Sequence, residues 1–174
     1  RRIAFVARPH SAPTVAGRIA GVREALVEHH LTLSPDWIAL GDANDPRFVR
    51  SLIAGHWDAI IASNDLVAAQ LLRSLEKQNV RVPEEVRLVG FDDAKYATLL
   101  GVSLTTMRQP CRDIALTAFR VMLERIADPT LPARSSPSTA LTSASGRVAT
   151  GTGGRPVRFT RSISSAISLT LPTQ

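Results

Sequence analysis

Val82-Pro83-Glu84-Glu85-Val86-Arg87-Leu88-Val89-Gly90-Phe91-Asp92-Asp93 decides how the chain is read. Pro83 ends whatever helix precedes it, because it has no N–H to donate and its ring clashes with the preceding turn. Val86 to Phe91 is short and apolar and contains β-branched residues, as a buried strand does. Asp92 and Asp93 stand at its carboxyl end. In an open parallel sheet that end is where ligands bind. The reading therefore turns on whether other strands bring polar groups to the same edge.

Upstream, Asp58 to Ser63 is a strand of the same kind, and Asn64 follows as a plausible cap for a helix from 65 to about 78. Val67, Leu71 and Leu75 form the inward stripe of that helix. Trp37 to Leu40 is another strand, left through Gly41-Asp42-Ala43-Asn44. Asp45-Pro46 then opens a helix that ends near Gly55, with proline tolerated in the first turn. The chain begins on a strand from Arg2 to Ala7. After a proline-bounded loop at 9–13, Thr14 is expected to cap a helix running to about His30. Val15, Ile19, Val22 and Leu26 are its inward stripe, and Arg18 lies beside that stripe.

Downstream, residues 93–101 read as irregular or briefly helical. Leu104 to Met107 is a short strand leading to Gln109-Pro110. A helix from about Cys111 to Ile126 carries Ile114, Ala118, Phe119, Met122, Leu123 and Ile126. Strands alternating with helices predict βαβ units, right-handed crossovers and a parallel sheet. The expected class is α/β, with residues 1–132 as one lobe that includes a crossing helix over 111–127.

The tail differs. From Ala133 onward there is no Asp, Glu or Lys, serine and threonine dominate, and there are five arginines. Residues 133–174 are expected to be irregular and poorly ordered, with a weak strand from Ile163 to Leu171. The tail carries +5 of the formal +6, which leaves +1 for residues 1–132. The basic overall charge therefore says little about nucleic acid in the folded part. At 44% hydrophobic residues in a chain of 174, a real core is available. No apolar run is long enough to span a bilayer. A basic leader with a cleavage site is absent, so secretion is not indicated. The opening directly on a strand is what a fragment without its natural N-terminus would show. The single cysteine, Cys111, cannot form an internal disulfide, which fits a reducing cytoplasm.

The strand ends gather Arg18, Asp42, Asn64, Asp92 and Gln109 at one edge. Carboxylate, guanidinium and amide together suit a ligand rich in hydroxyls, such as a sugar or nucleoside. Each residue has a plainer reading beside that one. Asn64 is also a helix cap, Asp92-Asp93 also a capping pair, Gln109 also hinge chemistry, and Arg18 also a solvated helix arginine. Enzyme readings fare worse. Neighbouring strand residues point to opposite faces, so Asp92 and Asp93 make a poor acid–base pair. His10, His29, His30 and His56 show no zinc-ligand spacing with Cys111. Phosphate-binding and nucleophile-elbow motifs are missing, and Gly151 to Gly154 has no strand before it. No catalytic residue, metal or cofactor is expected.

The stretches Arg18-Ile-Ala-Gly-Val-Arg-Glu-Ala-Leu26, Asp58-Ala-Ile-Ile-Ala-Ser-Asn-Asp-Leu66, Arg81 to Asp93 and Leu104-Thr-Thr-Met-Arg-Gln-Pro110 resemble the LacI/GalR family of bacterial transcriptional regulators, as does the opening Arg1-Arg-Ile-Ala-Phe-Val6. Their order and spacing match across about residues 1–130. The resemblance implies an incomplete lobe of a periplasmic-binding-protein-like type I fold, part of a two-lobed sensor around an effector cleft. It implies effector contacts at Arg18, Asn64 and Asp92, and weaker ones at Thr14 and Gln109. It also implies a homodimeric cytoplasmic regulator, not associated with a membrane, that binds DNA through a helix-turn-helix absent from this chain. A sugar-binding protein of a transport system is the alternative. The resemblance further implies that the 111–127 helix belongs against a first lobe.

After Ala133 the family's returning strands give way to Ser/Thr/Arg-rich sequence, as a reading-frame shift near Arg134 would produce. Translating the coding nucleotides there in the other frames is expected to restore a family-like strand. If no frame does so, the shift is excluded.

Overall fold

The computed structural model describes residues 2–94 and 104–133. Apart from Ala133, the predicted tail with its weak strand and glycine cluster lies outside the described residues, as does most of the irregular 93–101 piece. The described residues fall into two compact units, one ending at Arg108 and one beginning at Gln109.

The first unit alternates strand and helix in the predicted order: β1 (Ile3–Ala7), α1 (Pro13–Glu28), β2 (Ile38–Leu40), α2 (Pro46–Ala54), β3 (Ala59–Ala62), α3 (Asp65–Lys77), β4 (Arg87–Asp92) and β5 (Thr105–Arg108). The strands form one sheet in the order β2-β1-β3-β4-β5, and each pairing is parallel. The step from β1 to β2 runs one way across the sheet, and the later steps run the other way. Right-handed crossovers therefore put α1 on one face and α2 with α3 on the opposite face. α2 and α3 do touch each other. The reversal falls between β1 and β3, so the loops leaving their carboxyl ends diverge and open a crevice there.

The core follows the sequence stripes. Phe5, Val6, Val49, Val67, Leu71 and Leu75 are buried. On α1, Val15 and Leu26 are buried and Ile19 and Val22 pack against the same cluster. α2 begins as predicted, with the Asp45 carboxylate accepting the Arg47 N–H at 2.8 Å and Pro46 in the first turn. α3 begins on Asn64, whose Oδ1 accepts the Val67 N–H at 2.8 Å.

The start of α1 corrects the expectation for Thr14. Ala12 occupies the cap position without a side-chain bond, and Thr14 is an exposed residue inside the first turn. Pro13 explains the shift: its fixed φ and missing N–H suit the first helical position, which draws the helix start upstream of Thr14. β4 runs to Asp92, one residue beyond the predicted strand, and β5 lies at 105–108 where 104–107 was expected.

The second unit contains α4 (Cys111–Ala127), close to its predicted range. None of its residues is buried, and Phe119, Met122, Leu123 and Ile126 are all exposed.

Stability in the first unit should depend on core volume more than on caps. Leu71→Ala leaves a cavity in a fully buried site and should cost about 2–5 kcal/mol. Asp45→Ala removes one helix cap and should cost about 1 kcal/mol. Chemical denaturation of the two variants checks the ranking, and equal losses would contradict it.

Candidate functional site

The carboxyl edge of the sheet carries a compact polar cluster. Arg18, in the second turn of α1, reaches the ends of two strands. Its Nη2 donates to Asp92 Oδ1 at 3.0 Å, and its Nη1 donates to the Ser63 backbone carbonyl. The guanidinium carbon lies 4.8 Å from the centre of the Phe91 ring. The face assignment accounts for that last contact. Successive residues of β4 point to opposite faces. Gly90 faces α3, so close that a Cβ built on it would lie 2.2 Å from Asp65 Oδ1. Phe91 accordingly faces α1 and receives the arginine.

The Arg18 side chain retains 17% of its exposure and that of Asp92 38%. Exposed ion pairs contribute about 0–1 kcal/mol, while breaking a buried pair costs about 3–5 kcal/mol. This pair lies between those limits, and the aromatic face adds a cation–π attraction of about 0.5–2 kcal/mol.

Asn64 adjoins Ser63, whose carbonyl Arg18 engages. Its helix cap employs the amide oxygen. The cap and the ligand-contact readings therefore do not compete, because the two N–H donors of the amide belong to its other atom. Asp42, at the end of β2, is committed locally. The Asn44 backbone N–H at 2.9 Å, the Asn44 amide at 3.2 Å and Arg8 at 4.0 Å hold its carboxyl below the ordinary carboxylate range.

Of the residues singled out from sequence, the structure joins Arg18 to Asp92 and puts Asn64 beside them. Thr14 lies one helical turn before Arg18, on the exposed side of the helix start. Gln109 falls in the second unit, where its backbone carbonyl accepts the Cys111 N–H at 2.9 Å.

The sequence reading passed over three residues that adjoin this cluster: Phe91 beneath Arg18, and Thr106 and Asp65, the hydroxyl of the first donating to the carboxylate of the second. Asp65 follows a capping Asn, where an acidic residue is ordinarily an exposed complement to the helix dipole. Here it is fully buried. The available signal was Gly90, a glycine inside a strand, which marks close approach of another group.

Among the described residues, no helix is long and apolar enough to cross a membrane. Nor does any group of three or more His, Cys, Asp or Glu among them stand ready to hold a metal ion.

Residues 1–143 match the family described as periplasmic binding protein-like domain. The chain is similar to the HTH-type transcriptional repressor PurR of Vibrio cholerae, with 34% identity over 116 residues, 64% of this chain and 34% of that protein. It is 31% identical to PurR of Aliivibrio fischeri over 66% of this chain and 36% of that protein. The chain thus spans about a third of the length of these curated relatives. Among solved structures, a complex of the transcriptional regulator CelR with cellobiose superposes with a TM-score of 0.67 at 31% identity, covering 75% of this chain and 42% of that one. A LacI family regulator from Enterococcus faecium with bound ribose gives a TM-score of 0.64 at 25% identity, covering 75% and 50%.

A double-mutant cycle of Arg18→Met and Asp92→Asn, read by denaturation, should give a coupling of about 1–2 kcal/mol, as contacting partners of intermediate burial do. A coupling indistinguishable from zero would sink the pairing.

Proposed function

The chain belongs to the periplasmic-binding-protein-like, LacI/GalR-type effector-binding domains, and from that premise we propose that its carboxyl edge binds a small polyhydroxylated effector through Arg18, Asn64 and Asp92. The observation that carries this reading is the 3.0 Å bond between Arg18 and Asp92 at the crevice between diverging loops. A carboxylate accepts two hydrogen bonds from a vicinal diol, and a guanidinium donates a fixed fork to its oxygens. The N–H donors of Asn64 add a third point that orients the ring. Charge-assisted bonds of this kind are worth about 1.5–3 kcal/mol each.

In the free chain the two charged side chains satisfy one another. The ligand therefore meets groups already oriented and exchanges one set of hydrogen bonds for another, which lowers the ordering cost of binding. The neighbours that hold ribose and cellobiose support a sugar, or the sugar part of a nucleoside, as the ligand. Thr14, one helical turn before Arg18, is a secondary contact. The intact protein is a homodimeric, cytoplasmic transcriptional regulator, and the effector sets the affinity of a DNA-binding helix-turn-helix that lies outside these residues. The chain works by binding and has no catalytic step.

Isothermal titration of a two-lobe sensor carrying this chain, against ribose, cellobiose and adenosine, tests the assignment. Asp92→Ala should weaken binding about a hundredfold or more, because two charge-assisted bonds are lost, while the fold stays intact and loses only the roughly 1–2 kcal/mol that the Arg18 pair contributes. Unchanged affinity would remove Asp92 from the site.

A further inference from the structure

Asp65 opens α3 with its side chain fully out of water. A buried carboxylate needs partners for both oxygens. Oδ1 accepts the Thr106 hydroxyl at 2.5 Å, and Oδ2 accepts the Ala94 N–H at 2.7 Å. The hydroxyl of Thr106 has a single proton, and it goes to Asp65. The lone pairs of its oxygen are therefore left for the Asp93 N–H at 3.2 Å. The bonds run in one direction, from the backbone of 93–94 toward the buried carboxylate. Gly90 makes the approach possible, since any Cβ there would collide with Asp65 Oδ1.

Those bonds grip the backbone directly after Asp92. There the chain leaves ordinary strand geometry, with φ 110° at Asp92 and φ 54° at Asp93. Left-handed residues other than glycine cost about 1–3 kcal/mol and persist where the surroundings over-determine them. In an unbroken pleat, Asp92 would share the face of Leu88 and Gly90, toward α3. Its carboxylate meets Arg18 of α1 instead.

We infer that Asp65 is a positioning residue of the effector site: through Thr106 and Ala94 it holds the reversed turn that aims Asp92 at Arg18. The inference rests on the effector reading above. Asp65 touches no ligand in this scheme; it sets the geometry of the residue that does.

The test uses the full chain labelled with 15N. Thr106→Val keeps the side-chain shape and removes the hydroxyl, and Thr106→Ser keeps the hydroxyl. Asp65→Asn turns N–H donors toward a hydroxyl or a backbone N–H, where acceptors are needed. The guanidinium N–H resonances of Arg18, assigned by their loss in Arg18→Lys, should move to the solvent-exposed envelope in Thr106→Val and Asp65→Asn. In Thr106→Ser they should keep their wild-type positions. If Asp65→Asn does not fold, the Thr106 pair decides alone, with Gly90→Ala displacing Asp65 from the opposite side.

In the two-lobe sensor, affinity for whichever of ribose, cellobiose and adenosine the wild type binds should fall about tenfold in Thr106→Val, a loss of about 1.4 kcal/mol. Thr106→Ser should rescue it. Wild-type Arg18 resonances in a folded Thr106→Val chain would overturn the inference and leave the effector reading standing. Displaced resonances in Thr106→Val, together with a wild-type sensor that binds none of the three probes, would uphold the positioning role and count against the effector reading.

Discussion

One guanidinium ties together three elements that the chain order keeps apart. Arg18 leaves α1, engages the backbone carbonyl at the end of β3 and pairs with the carboxylate at the end of β4. These contacts are possible only because the sheet reverses direction between β1 and β3. α1 then lies on the face opposite α3, and its second turn overhangs the strand ends. The same reversal opens the crevice that a ligand needs. Fold and site thus share one constraint: the order of strands in the sheet.

The second constraint is the buried carboxylate of Asp65. Polar groups are costly to bury, and this carboxyl is tolerated because each of its oxygens accepts a hydrogen bond. Nothing in the local sequence demands a burial at that point. The helix could begin with any good first-turn residue, and a larger residue at position 90 would strengthen the strand. Gly90 and Asp65 give up local propensity together, and what they secure is the conformation of residues 92–94. Local rules broken without local gain mark functional parts of a structure, and these two residues lie within a few ångströms of the Arg18–Asp92 pair's own backbone segment.

The second unit shows a different economy. α4 has a helical pattern of large apolar residues, yet none is buried. Helices within proteins gain most of their stability from packing an amphipathic face. A helix with Phe119, Met122, Leu123 and Ile126 exposed keeps its intrinsic propensity and its i,i+4 neighbours, and leaves unused the larger contribution of burial.

The order of elements, the parallel sheet, the caps at Asp45 and Asn64 and the inward stripes of α1 and α3 were legible in the sequence, because period, proline and capping residues act over a few positions. So was the placement of Asn64 and Asp92 at one edge, since strand polarity alone places strand ends together; Arg18, on a helix, reaches that edge only through the order of the strands. The start of α1 was misjudged at Thr14 because Pro13 competes for the first turn. The bond between Arg18 and Asp92, the ring of Phe91 beneath it and the burial of Asp65 were decided by tertiary structure alone. Each joins residues from separate strands and helices, and no local pattern records which face of a sheet a helix will cover or which side chain a glycine has made room for.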